Sequence, residues 1–170
     1  MTYSELLHLG NTALAQNTIE ESTAEYADKQ FQAGLIMLEN RKTGEAFLAF
    51  KQALQLRPND AVFRSYFGLA LAMVDKRAVE PLSFCEEAVK KDYFRPELFL
   101  NLGKVHLLKG ERSKALQTFY KGLGVEKRHK GLRLEIRKMG VRKQPVFPSL
   151  GRENVINILM GRLLRKMGTR

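Results

Sequence analysis

A chain of 170 residues with 44% hydrophobic content is long enough to bury one substantial core and too apolar to be disordered in bulk. Its single cysteine, Cys85, excludes an internal disulfide and a self-contained structural zinc site, and no run of about 18 apolar residues offers a membrane-spanning helix. The formal net charge of +11 is unevenly spread: residues 1–100 carry 11 Lys or Arg against 14 Asp or Glu, whereas residues 101–170 carry 18 against 4. That asymmetry points to an anionic partner for the C-terminal part (nucleic acid, anionic lipid or an acidic protein) or to cations that only solvate exposed helix faces.

The amino terminus, Met1 to Leu9, lacks a basic start and a long apolar stretch, so no secretory signal is expected and a soluble, cytoplasmic protein is. Tyr3 to Gln16 predicts a short amphipathic helix through Leu6, Leu7, Leu9, Ala13 and Leu14, followed by a polar loop from Asn17 to Ser22. The expected role of this helix is to cap the edge of the helical array that begins near Ala27.

From about Ala27 the chain becomes periodic. A leading helix carries Phe31, Gly34, Leu35, Met37 and Leu38, and a turn comes next around Asn40 to Gly44, with Thr43 a candidate cap. A second helix then carries Ala46, Phe47, Phe50, Ala53 and Leu54, spaced i, i+1, i+4, i+7 and i+8 on one apolar stripe, and Arg57-Pro58-Asn59 ends the unit. The same order returns twice. Gly34, Gly68 and Gly103 recur at intervals of 34 and 35, as do Phe50, Phe84 and Phe119. In the third unit Ala115, Leu116, Phe119, Gly122 and Leu123 reproduce the first unit's stripe, each displaced by 69 residues. The middle unit keeps Tyr66, Gly68, Leu71, Phe84 and Ala88 but has Glu80-Pro81 where the others have Ala46-Phe47 and Ala115-Leu116, so its second helix is expected to start near Pro81. A period in this range over three units predicts stacked helix pairs that share one core, with the small residue of each first helix admitting its partner closely.

Beyond the repeats, Gly131 to Met139 predicts a short helix stopped at Gly140. Arg142 to Pro148 predicts an extended strap, and its Arg142-x-x-Pro145-x-x-Pro148 spacing also matches an SH3-ligand pattern. Arg152 to Met167 predicts a helix with Val155, Ile156, Leu159, Leu163 and Leu164 on one face and Arg162, Arg165 and Lys166 toward the other, suited to capping the solenoid or lying on an anionic membrane. The domain division expected is 1–22 for an N-terminal cap and loop, 23–126 for three helix pairs (about 27–60, 61–95 and 96–126) and 127–170 for a basic C-terminal segment.

Catalytic chemistry finds no foothold, and no cofactor or metal is expected. His8, His106 and His129 are far apart and lack ligand spacing, and His106 reads as a structural residue. Gly122-Leu123-Gly124 is too short for a dinucleotide site and reads as helix termination. Cys85, flanked by Glu86 and Glu87, is poorly placed to form a thiolate.

Gly34, Ala46, Phe50, Ala53 and Pro58 of the first unit, and Gly103, Ala115 and Phe119 of the third, resemble the tetratricopeptide-repeat motif over about residues 24–126. The resemblance implies an all-α, right-handed superhelix of antiparallel helix pairs whose first helices line a concave groove for a peptide or partner helix. Carried onto this chain, the groove positions are Phe31, Leu35, Leu38, Ser65, Leu69, Met73, Leu100, Asn101, Lys104 and Leu108. One subclass of the family grips the C-terminal carboxylate of heat-shock chaperones with a Lys/Asn/Arg clamp. Here Phe31, Leu35, Tyr66 and Glu97 stand at clamp positions and only Asn101 matches, so that binding mode is not expected. The C-terminal segment also resembles the tails of uncharacterised bacterial proteins of the family.

These features favour a non-enzymatic adaptor binding a partner protein in the groove. The alternatives are a secretion chaperone of the type III kind, or a nucleic-acid or anionic-lipid binder using the basic residues Lys127, Arg128, Lys130, Arg133, Arg137, Lys138, Arg142 and Lys143. No aromatic residue interleaves that basic run, so base stacking is not expected from it.

Overall fold

In a computed structural model the described residues are 3–140 and 154–166, and they contain helices and turns but no strand. The chain divides into two compact units, Met1–Glu135 and Ile136–Arg170.

The first unit is an α-solenoid. Helix α1 (Tyr3–Glu39) pairs with α2 (Thr43–Leu56), α3 (Ala61–Val74) with α4 (Pro81–Lys91), and α5 (Pro96–Leu108) with α6 (Arg112–Val125). Successive pairs stack through α2 on α3, α3 on α5 and α4 on α5. Helix α7 (Lys130–Lys138) comes next, and the boundary between the two units falls within it.

Each outer pair closes around a glycine. A Cβ built on Gly34 would lie 2.6 Å from Phe50 Cε1, and one on Gly103 would lie 2.5 Å from Phe119 Cδ1. Both rings are fully buried, so the missing side chain is what lets the phenyl ring of the second helix rest on the backbone of the first. Phe50 belongs to a core with Ala27, Ala46, Ala53, Phe63 and Ala70, and a second core gathers Leu69, Ala72, Cys85, Leu102 and Val105.

The middle pair departs from the expected register. Phe84 is only half-buried, and the fully buried residues of α4 are Pro81, Cys85 and Ala88. These take the places of Ala46, Phe50 and Ala53, 35 residues on, so the buried slot falls to Cys85 rather than Phe84. The slip comes from the connector. Residues 75–80 separate α3 from α4, whereas three residues join α1 to α2 and α5 to α6. Phe84 instead meets Phe67 edge-on at 5.0 Å, and Phe67 stacks on Phe47 at 5.4 Å, forming an aromatic row outside the buried slot.

Three local expectations also change. The loop expected over Asn17–Ser22 is helical, part of the 37-residue α1: no glycine or proline interrupts the chain between Gly10 and Gly34, and polar residues alone do not stop a helix. Thr43 is the first residue of α2 rather than its cap, and Lys42 stands at the cap position with no side-chain cap bond. Gly122 does not terminate α6. It is buried, and its missing Cβ would lie 2.7 Å from Leu132 Cδ1, so Leu132 of α7 packs where the first repeat has Ala53.

Polar residues fasten the joints. Asp60 caps α3 by accepting from the backbone N–H groups of Val62 and Phe63 at 2.9 and 3.1 Å. Arg57 donates to Asp60 and to Asp28 of α1, both at 2.7 Å, and its guanidinium lies 4.8 Å from the centre of the Phe63 ring. The two short turns share a left-handed residue, Arg41 at φ 62° and Gly110 at φ 77°, 69 positions apart. Only the third pair fills that place with the residue that adopts it without steric cost. Arg41→Gly is expected to raise stability by about 1 kcal/mol in urea denaturation, and an unchanged or lower midpoint would contradict the strain assigned to this turn.

Candidate functional site

The first helices of the three pairs present one face each to a shared concavity. Positions i, i+3 and i+7 of α3 are Tyr66, Leu69 and Met73. From α1 come Leu35, Leu38 and Glu39, and from α5 come Leu100, Asn101 and Lys104. Arg41 of the α1–α2 turn and Thr43 at the start of α2 complete the lining of a cavity of about 560 Å³. Its lining is aliphatic apart from Tyr66, the buried Asn101 and the polar residues Glu39, Arg41, Thr43 and Lys104.

Seven of the ten expected groove residues line this cavity: Leu35, Leu38, Leu69, Met73, Leu100, Asn101 and Lys104. Phe31 does not. It is 8% exposed, stacked on Phe63 at 4.6 Å and edge-on to Tyr66 at 5.2 Å, so it belongs to the core of the first pair. Ser65 is fully buried, its hydroxyl accepting from Asn101 Nδ2 at 3.2 Å and its carbonyl from the Cys85 thiol at 3.4 Å. Leu108 packs against the second core. Tyr66, Glu39, Arg41 and Thr43 line the cavity without having been expected there. The Tyr66 and Ser65 positions differ by one residue, a rotation of about 100° on a helix, which exchanges a core face for a groove face.

Asn101 orders the floor. Buried and bonded to Ser65, it also pairs with the Tyr66 side chain. Burial pushes the Tyr66 phenol above its ordinary range, and the Glu97 carboxylate adds to the effect while the Asn101 bond opposes it. Glu97 lies one turn before Asn101 on α5 and is 3.7 Å from His129 Nε2. His129 Nδ1 accepts from the Leu132 backbone N–H at 3.2 Å. At the far end of α5, His106 Nδ1 meets Glu111 Oε2 at 2.6 Å, a structural pairing in the turn before α6. Bonds from Lys114, with His106 second, hold the Glu111 carboxyl below its usual range.

Burial pushes the Cys85 thiol up to about 12, with Glu86 adding to the rise. The native thiol is therefore expected to resist alkylation at neutral pH and to react only on unfolding, and rapid labelling of the folded protein would contradict its burial. Because the folded value lies above the ordinary 9.0, this group's contribution to stability is complete below about 9 and is lost as pH rises toward about 12.

Of the expected basic patch, Lys127, Arg128, Lys130, Arg133, Arg137 and Lys138 are exposed, the last four on α7. Arg142 and Lys143, and with them the strap from Arg142 to Pro148, lie outside the described residues. Among the described residues no group of three or more His, Cys, Asp or Glu side chains converges to hold a metal ion, and no helix is long and apolar enough to cross a membrane.

No family model matches the chain, and no curated protein matches it. Solved structures do. The TPR domain of Arabidopsis OM64 superposes with a TM-score of 0.58 at 14% identity, over 69% of this chain and 97% of that one. The second TPR domain of human RPAP3, in complex with the HSP70 peptide SGPTIEEVD, gives 0.56 at 17% identity over 72% and 99%. YrrB, a TPR protein with an unusual peptide-binding site, gives 0.55 at 23% identity over 76% and 71%. The fold is that of a tetratricopeptide-repeat solenoid.

Proposed function

We propose that this protein is a non-enzymatic interaction module that holds a segment of a partner protein in the concavity of its three helix pairs. The observation that carries this reading is the cavity itself: Leu35, Leu38, Leu69, Met73 and Leu100 from three separate helices form an apolar floor with the buried Asn101, and Glu39, Arg41 and Lys104 add charge to the lining. Structural relatives that hold HSP70 or HSP90 peptides support it.

The groove has an electrical direction. Along α5, Glu97 lies outside the cavity lining and Lys104 within it, seven residues apart and about 10 Å at the helical rise, with Leu100 and Asn101 between them. Arg41 adds a second cation at the Lys104 end, beside Glu39. A complementary ligand is an aliphatic segment with an acidic group at the Arg41–Lys104 end and a cationic or neutral group toward Glu97. The test is affinity purification from the native cell with the full chain and with Met73→Glu, washed at low and then high salt. A stoichiometric protein kept by the parent at high salt and lost from the variant supports the groove. Partners retained equally by both remove it.

A further inference from the structure

The second unit carries α8 (Val155–Lys166), and this helix leaves an apolar stripe in water. Val155, Ile156, Leu159 and Leu163 fall at i, i+1, i+4 and i+8, one face of the helix, and each is more than half exposed. Asn154 Oδ1 secures the start by accepting from the Ile156 backbone N–H at 3.0 Å. The flanking sequence is cationic: Arg152, Arg162, Arg165, Lys166 and Arg170 stand against Glu153 alone between positions 152 and 170.

We propose that α8 is a membrane-surface helix that lays its aliphatic stripe into the headgroup–acyl boundary of an anionic bilayer. Two features must be satisfied together. A nucleic acid would take the cations but leave the stripe in water, and an apolar protein groove would cover the stripe but give the cation excess no role. An anionic bilayer answers both, with hydrocarbon below the stripe and negative headgroups beside the arginines. Twelve residues span about 18 Å, well short of the about 30 Å hydrocarbon core, so the helix lies along the surface rather than crossing it. The repeats would then be tethered to a membrane through the chain that joins them to α8.

Vesicle flotation of the full chain tests this, using phosphatidylcholine alone and phosphatidylcholine with about one third phosphatidylserine. Binding is expected to the anionic vesicles only. Arg162→Gln should weaken it about five-fold. Leu159→Ser with Leu163→Ser should weaken it about a hundred-fold, whereas Leu159→Met with Leu163→Met should restore it. Both leucines are exposed, so the thermal midpoint of the repeats should be unchanged and loss of binding will not reflect unfolding. Failure to float with anionic vesicles at low salt overturns the proposal. So does binding that survives the serine pair or is displaced in full by RNA, since either result marks a general polyanion surface.

Discussion

Gly103→Val is expected to destabilise the protein by about 2–3 kcal/mol, lowering the thermal midpoint by roughly 5–12 °C. A Cβ at this place would sit 2.5 Å from Phe119 Cδ1 and 2.8 Å from Phe119 Cζ. The ring cannot retreat, because Phe119 is fully buried between α5 and α6. Glycine in a helix interior costs about 1 kcal/mol against alanine, so on propensity alone the substitution should help. Overpacking is the larger effect and decides the sign. Gly44 supplies the internal control. It lies in the first turn of α2 with nothing within 4 Å of where a Cβ would stand, so Gly44→Ala should raise stability by about 0.5–1 kcal/mol. Opposite shifts for the two glycines in urea denaturation are the expected result. Shifts of the same sign would mean that the phenyl ring does not rest on the glycine backbone.

A peptide ending in Glu-Glu-Val-Asp, as in the HSP70 peptide held by the human RPAP3 domain, is expected to bind this protein no more tightly than about millimolar. At the clamp positions Phe31 is committed to the aromatic core, Leu35 lines the apolar floor, and Tyr66 is tied to Asn101. Asn101, the one residue that matches the clamp, already donates to Ser65. Glu97 adds a negative charge one helical turn from Asn101, where an incoming carboxylate would need a cation. Relative to a micromolar complex the difference is on the order of a thousand-fold, about 4 kcal/mol. Calorimetry with the peptide and with its C-terminally amidated form decides the matter. Micromolar affinity that depends on the free carboxylate would show that the clamp positions can rearrange, and would revise the proposed polarity of the groove.

How far the molecule was legible before its structure depended on whether a residue's role was local. The helix-breaking Arg57-Pro58-Asn59, the Pro81 start of α4, the stop at Gly140 and the glycine series through Gly34, Gly68 and Gly103 act through backbone geometry and spacing, so sequence alone determined the all-α fold and its three stacked pairs. Leu35, Leu38, Leu69, Met73 and Leu100 were reached only through the tetratricopeptide resemblance, which assigns one face of each first helix to a groove, and all five line the cavity. Only the tertiary structure decided what depends on the neighbour. It placed Cys85 and not Phe84 in the middle buried slot, because the six-residue connector at 75–80 shifts α4 by one position against α3. It turned Phe31 and Ser65 inward and Tyr66 toward the groove, because one residue is a rotation of about 100° and the helix packed alongside settles which side is covered. And it set Arg41 in the cavity lining, since a turn residue enters a cavity only when the chain on either side has already folded around it.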